Sequence, residues 1–211
     1  MGLYDVKPRF RSMLEGVLPI ARSLHPDWIT FAGVACSFAV AALAQTAERL
    51  RWPFLLIPLL LLGRITFNAL DGMVAQATGK ARPFGEVLNE VADRVSDAAV
   101  LLGIAISPLS SLAWGAPATV AVLFSSYVGI LGKAVGAGRQ YGGILGKADR
   151  MLYLGLTCVA AFFIGNPVLA RARGVPLTLF DCLLGAFAAL AAVTAVQRVS
   201  AIHRALNEAR P

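Results

Sequence analysis

Six stretches of mostly apolar residues, at about 27 to 45, 52 to 71, 87 to 108, 115 to 135, 150 to 166 and 176 to 197, constrain this chain more than any other feature. A hydrocarbon core roughly 30 Å thick takes about 20 apolar residues of helix to cross, and each stretch is near that length. Lipid offers no partner to a backbone N–H or C=O, so such stretches fold as helices. The expected fold is therefore an all-α polytopic membrane bundle of six transmembrane helices. Composition points the same way, with 57% of the 211 residues hydrophobic and 15% charged, and a mean hydropathy of +0.70.

The first 25 residues lack the apolar core of a signal peptide. Leu3, Val6, Phe10, Leu14, Val17 and Ala21 instead recur at helical spacing opposite Lys7, Arg9, Arg11 and Arg22. This pattern predicts an amphipathic helix lying in the membrane interface, with Pro8 and Pro19 as candidate breaks. No internal repeat, low-complexity segment or linker interrupts the chain, so residues 1–211 read as a single domain: an interfacial helix over 1–25, then a six-helix bundle over 26–198.

Short cytoplasmic loops carry an excess of Lys and Arg. With both termini in the cytoplasm, that side holds thirteen of the nineteen Lys and Arg residues and the opposite side four, leaving Arg64 and Arg94 at membrane depth. The net charge of +7 then reflects cationic loops beside anionic lipid rather than a nucleic-acid surface, because no basic soluble domain is present. Cys36, Cys158 and Cys182 each fall inside a span and read as small apolar residues, not as disulfides or metal ligands.

Between the second and third spans the pattern changes. The stretch "LDGMVAQATGKARPFGEVLNEVADRVSD", residues 70–97, holds five of the twelve acidic residues. Ionisable groups at membrane depth are costly and are retained for function. Asn68, Asp71, Gly72 and Ala75 fall at i, i+3, i+4 and i+7, on one face of a helix, and Gly85, Asn89, Asp93 and Asp97 follow at intervals of four. Two such faces turned together make a cage of side-chain oxygens, which hard divalent cations prefer; Mg2+ in particular works through one or two carboxylates plus substrate phosphates. Gly72 and Gly85 either leave room for a phosphate or nucleotide ring or allow close helix packing. Asp97 either adds its charge to the cage or pairs with Arg64 or Arg94 inside the bundle. Glu86 and Glu90 read as solvated or paired residues at a helix start.

These residues resemble the signature of the CDP-alcohol phosphotransferase family, D-x2-D-G-x2-A-R-x8-G-x3-D-x3-D. Asn68, Asp71, Gly72, Ala75, Gln76, Gly85, Asn89 and Asp93 meet every spacing of that pattern. The resemblance implies transfer of a substituted phosphate from a CDP-linked donor, usually CDP-diacylglycerol, to an alcohol, with release of CMP during phospholipid synthesis. It also implies a metal site of Asn68, Asp71, Asn89 and Asp93 holding one or two Mg2+ or Mn2+ ions, with Asp93 as general base. Gly72, Ala75, Gln76 and Gly85 would line the cytidine diphosphate pocket; Lys80 and Arg82 of the connecting loop supply positive charge beside it. Asp27, Trp28, Ile29 and Thr30 in "PDWIT" would mark the donor's entry to the first span; Asp27 read alone is a helix cap. A homodimer in the bacterial cytoplasmic membrane, with the active site facing the cytoplasm, is implied as well.

Three positions depart from the signature. Asn68 and Asn89 stand where the family has aspartate, and Gln76 stands where it has arginine. An asparagine still offers a carbonyl oxygen, but each exchange removes one negative charge, and metal affinity is expected to fall. Asp97, Glu86 or Glu90 would restore some of that charge if they joined the cage. The losses also motivate a second reading, a catalytically silent homologue that binds nucleotide or lipid as a membrane partner. On the acceptor side, "GKAVGAGRQYGGILGKADR" offers Lys133, Arg139, Lys147 and Arg150 as an anion clamp or, equally, as an ordinary positive-inside loop. His25 and His203 read as surface residues.

Overall fold

The computed structural model describes residues 7–172 and 175–208. Two short helices, α1 (Lys7–Glu15) and α2 (Leu18–Ala21), lead into α3 (Pro26–Leu50), α4 (Pro53–Ala77), α5 (Pro83–Ala105), α6 (Leu112–Ala134) and α7 (Lys147–Ile164). A hairpin of β1 (Val168–Ala172) and β2 (Val175–Thr178) precedes α8 (Leu179–Glu208). The six long helices thus stand where the six apolar stretches lie. Proline opens α3, α4 and α5, where its missing N–H has no intrahelical partner to lose. The cap of α3 is His25 rather than Asp27: its ring nitrogen Nδ1 accepts the Asp27 backbone N–H at 3.3 Å.

Two expectations need correction. The fold is not purely helical, because residues expected to begin the sixth span form β2, paired antiparallel with β1 from Val168–Thr178 to Ala172–Val175. The amino-terminal helix is also broken between Glu15 and Leu18, and its apolar face does not all meet lipid. Leu14 and Ala21 pack with Ile29, Leu70, Met73 and Val74 on α3 and α4, while Met13, Val17 and Ile20 remain exposed. Leu3 and Val6, expected on the same face, lie outside the described residues.

α3 packs on both α4 and α5, α7 on α4, and α6 joins α5 to α8. The α3–α5 approach depends on Gly103, where an added Cβ would stand 2.3 Å from the Cβ of Ala41. The main apolar core runs through Val40, Phe54, Leu61, Val100, Leu154 and Phe180. Among the described residues four helices, α3, α4, α6 and α8, are long and apolar enough to cross a membrane, and the chain is an integral membrane protein. α5 and α7 carry charges over part of their length, all at the end where the loops 78–82 and 135–146 gather. Cys36, Cys158 and Cys182 are free thiols.

Candidate active site

Because α4 runs unbroken to Ala77 and α5 starts at Pro83, the whole acidic stretch lies on two adjoining helices joined by a five-residue turn. The two faces do turn toward each other. The Asn68 side-chain amide donates to Asn89 Oδ1 at 2.6 Å and to Asp93 Oδ1 at 2.9 Å. Asp71, one turn along α4, is oriented from both sides: Oδ2 accepts the Thr30 hydroxyl of α3 at 2.7 Å, and Oδ1 accepts the Gly72 backbone N–H at 2.6 Å. Asp71 lies within electrostatic range of Asp93 and of Lys147. A narrow cavity of about 10 Å³, room for one water at most, opens between Thr30, Arg64, Asn68, Asp93 and Ser96.

Gly72 is not needed for helix packing, since a Cβ there would meet nothing within 4 Å. Gly85 lies against the Arg82 side chain. Arg82 ion-pairs with Asp27, bringing together two residues of the expected donor pocket, and its guanidinium lies 5.6 Å from the centre of the Phe84 ring. Trp28 of the same segment is 71% exposed, whereas Ile29 and Thr30 are buried. Ala75 is half-buried and Gln76 exposed at the end of α4.

The remaining acids of α5 do not join the cage. Asp97 is buried between two guanidinium groups, Arg64 of α4 at 2.5 Å and Arg150 of α7 at 2.8 Å. Its expected pairing with Arg64 is therefore present, its pairing with Arg94 is not, and both of its carboxylate oxygens are engaged by guanidinium groups. Glu90 pairs with Arg94 at 2.6 Å and with Arg139. Glu86 pairs with Lys133, and that hydrogen bond holds its carboxyl below the usual carboxylate range. Lys147 pairs with Asp93. Glu86, Glu90, Asp93 and Asp97 thus form one stripe at i, i+4, i+7 and i+11, and each meets a basic residue from the segment 133–150. The four basic residues expected to gather on the acceptor, Lys133, Arg139, Lys147 and Arg150, are each held by a different acid of that stripe.

Sequence reasoning missed the Thr30–Asp71 bond, the role of Arg150, and Arg198. The Arg198 guanidinium donates to the carbonyls of Ser125 at 2.6 Å and Gly142 at 2.9 Å, tying the glycine-rich loop to α6 and α8. Only the charge of Arg198 and Arg150 was visible in the sequence; neither has a partner nearby in the chain.

Among the described residues, no three His, Cys, Asp or Glu side chains gather as a metal cluster. The expected donor set comprises two carboxylates, Asp71 and Asp93, and the amide oxygens of Asn68 and Asn89. This all-oxygen set fits a hard cation whose coordination is completed by phosphate oxygens, not a closed cage of protein ligands.

Residues 23–200 match the profile of the CDP-alcohol phosphatidyltransferase family. The chain belongs to this family. It is 33% identical to the inner membrane protein YnbA of Escherichia coli over 74% of this chain and 78% of that one. It is 30% identical to the archaetidylinositol phosphate synthase of Pyrococcus horikoshii over 72% of this chain and 79% of that one. The phosphatidylinositol phosphate synthase of Mycobacterium tuberculosis, solved with CDP-DAG bound, shares the fold, with a TM-score of 0.64, 23% identity and 92% of each chain covered.

Proposed function

We propose that this CDP-alcohol phosphatidyltransferase moves the phosphatidyl group of CDP-diacylglycerol to a polar alcohol and releases CMP, with Mg2+ or Mn2+ bound by Asn68, Asp71, Asn89 and Asp93. The observation that carries the reading is the junction of Asn68 with Asn89 and Asp93, which draws the motif's two halves onto one spot beside Asp71. The bound CDP-DAG of the M. tuberculosis synthase supports the choice of donor. A second structure of that synthase is in complex with manganese and citrate, which supports the metal.

Held by these four residues, a divalent cation would supply charge neutralisation for the pyrophosphate and for the leaving CMP. Asp93 takes the proton of the acceptor hydroxyl. The alcohol oxygen then bonds to the phosphorus bearing diacylglycerol, and the bond from that phosphorus to the bridging oxygen breaks, leaving its electron pair on CMP. Thr30 and the Gly72 N–H keep Asp71 oriented, and preorganised donors of this kind lower the cost of reaching the transition state. The open side at Gly72 receives the diphosphate, and Arg82 with Asp27 borders the nucleotide. The six long helices cross the membrane with the site on the cytoplasmic side, as the bias of basic residues toward that side supports.

Purified protein given CDP-diacylglycerol, a panel of polyols and polyol phosphates, and Mg2+ or Mn2+ should release CMP and form a lipid identified by mass spectrometry, and EDTA should stop both. The names of the relatives make inositol phosphate the first acceptor to try. Absence of CMP across the panel would leave a silent binder of nucleotide or lipid.

A further inference from the structure

Lys147 occupies an unusual place for a residue of a basic loop. It opens α7, its side chain is three-quarters buried, and its ammonium donates to Asp93 Oδ1, the same oxygen that accepts the Asn68 amide. Asp93 is one of only two carboxylates in the donor set, and Asp71 also lies in the field of Lys147. With aspartate at 68 and 89 the site would hold two more negative charges; with asparagine there, a single ammonium compensates Asp93.

We infer that Lys147 is the resident counter-ion of the cage: it holds Asp93 in the metal-free chain and competes with the divalent cation for that carboxylate. Cation binding then exchanges one partner of Asp93 for another. On cation binding the Lys147 ammonium would leave Oδ1, and rotation about the broad terminal torsion of Asn68 would offer its carbonyl oxygen in place of its N–H. The physical reason is that a buried carboxylate is not left uncompensated, so the site exchanges one positive charge for another and never stands open. Metal affinity in this chain is accordingly set by two factors, the missing aspartate charges and the work of displacing Lys147. Lys147 acts through Asp93 and is a positioning residue.

The inference rests on the proposed metal ligands, and the test separates the two. Mn2+ binding to the full-length protein is measured by electron paramagnetic resonance titration, alongside the thermal shift that Mn2+ produces, for wild type, Lys147→Met, Lys147→Gln, Lys147→Arg and Asp93→Asn. Removing a like charge a few ångströms from the ion should tighten Mn2+ binding by about tenfold or more in Lys147→Met and Lys147→Gln, and enlarge the Mn2+-induced thermal shift. Lys147→Arg, which keeps the charge, should bind as wild type does, and Asp93→Asn should lose Mn2+. Unchanged or weaker Mn2+ binding in the folded Lys147→Met and Lys147→Gln proteins, with Asp93→Asn still losing it, would overturn the counter-ion role alone. Wild-type Mn2+ binding by Asp93→Asn would overturn the metal site and this inference together.

Discussion

Asn68 on α4 donates its side-chain amide to Asp93 on α5 across 2.9 Å, joining the first and last positions of a motif 26 residues long. The bond exists because position 68 is asparagine: an aspartate there would bring a second negative charge against Asp93 and require a cation between them. The substitution therefore trades part of a metal-held junction for a hydrogen-bonded one, and the metal-free protein keeps the two helices in register.

Returning aspartate to positions 68 and 89 should reverse that trade. Asn68→Asp with Asn89→Asp should tighten Mn2+ binding by at least about tenfold and lower the melting temperature of the metal-free protein. Isothermal titration and a thermal scan with and without EDTA check both halves; unchanged affinity would mean these positions do not touch the ion.

Asp97 should matter for the fold rather than the chemistry. Asp97→Ala strands Arg64 and Arg150 in the core, where each already has an Nε without a hydrogen-bond partner, and should cost about 3 to 5 kcal/mol of stability. Replacing all three charged residues with apolar ones of similar volume should recover much of the loss. Unfolding in detergent reads the difference.

Thr30 should act through Asp71. Thr30→Val keeps the shape and removes the hydroxyl bonded to Asp71 at 2.7 Å, an interaction with a charged group worth about 1.5 to 3 kcal/mol. CMP release should fall roughly tenfold or more if that energy is used to orient Asp71, and Thr30→Ser should restore most of it.

Arg82 and Asp27 divide differently between stability and binding. Both are solvent-accessible, with side chains 47% and 26% exposed, so breaking the pair with Arg82→Ala should shift stability by no more than about 1 kcal/mol. The KM for CDP-diacylglycerol should nevertheless rise with kcat little changed, as expected of a group that binds the donor away from the reacting phosphorus.

Much of this was readable from the sequence, for definite reasons. Apolar run length located the six long helices, because lipid restricts a backbone to helix. The spacing placed Asn68, Asp71 and Gly72 on one helix face and Asn89 and Asp93 on another, because helical periodicity fixes which side chains share a face; that the two faces meet came from the structure. The partners of Asp97 and Asp93 were harder: Arg150 and Lys147 stand 53 and 54 residues away, and no local rule selects among nineteen basic residues. Asp97 had two open readings in the sequence; the structure shows its pairing with Arg64 and adds Arg150 of α7. The hairpin at Val168–Thr178 was hidden because its strands of four and five residues are too short for alternation to stand out beside an apolar helix start.

The central claim is that Asp71 and Asp93 work on one bound CDP-lipid, and steady-state CMP release by Asp71→Asn and Asp93→Asn, set beside CDP-diacylglycerol binding by the same proteins, tests it most directly. The account predicts that each variant loses turnover by about a thousandfold or more while still binding the donor measurably. A wild-type rate in either variant would contradict it.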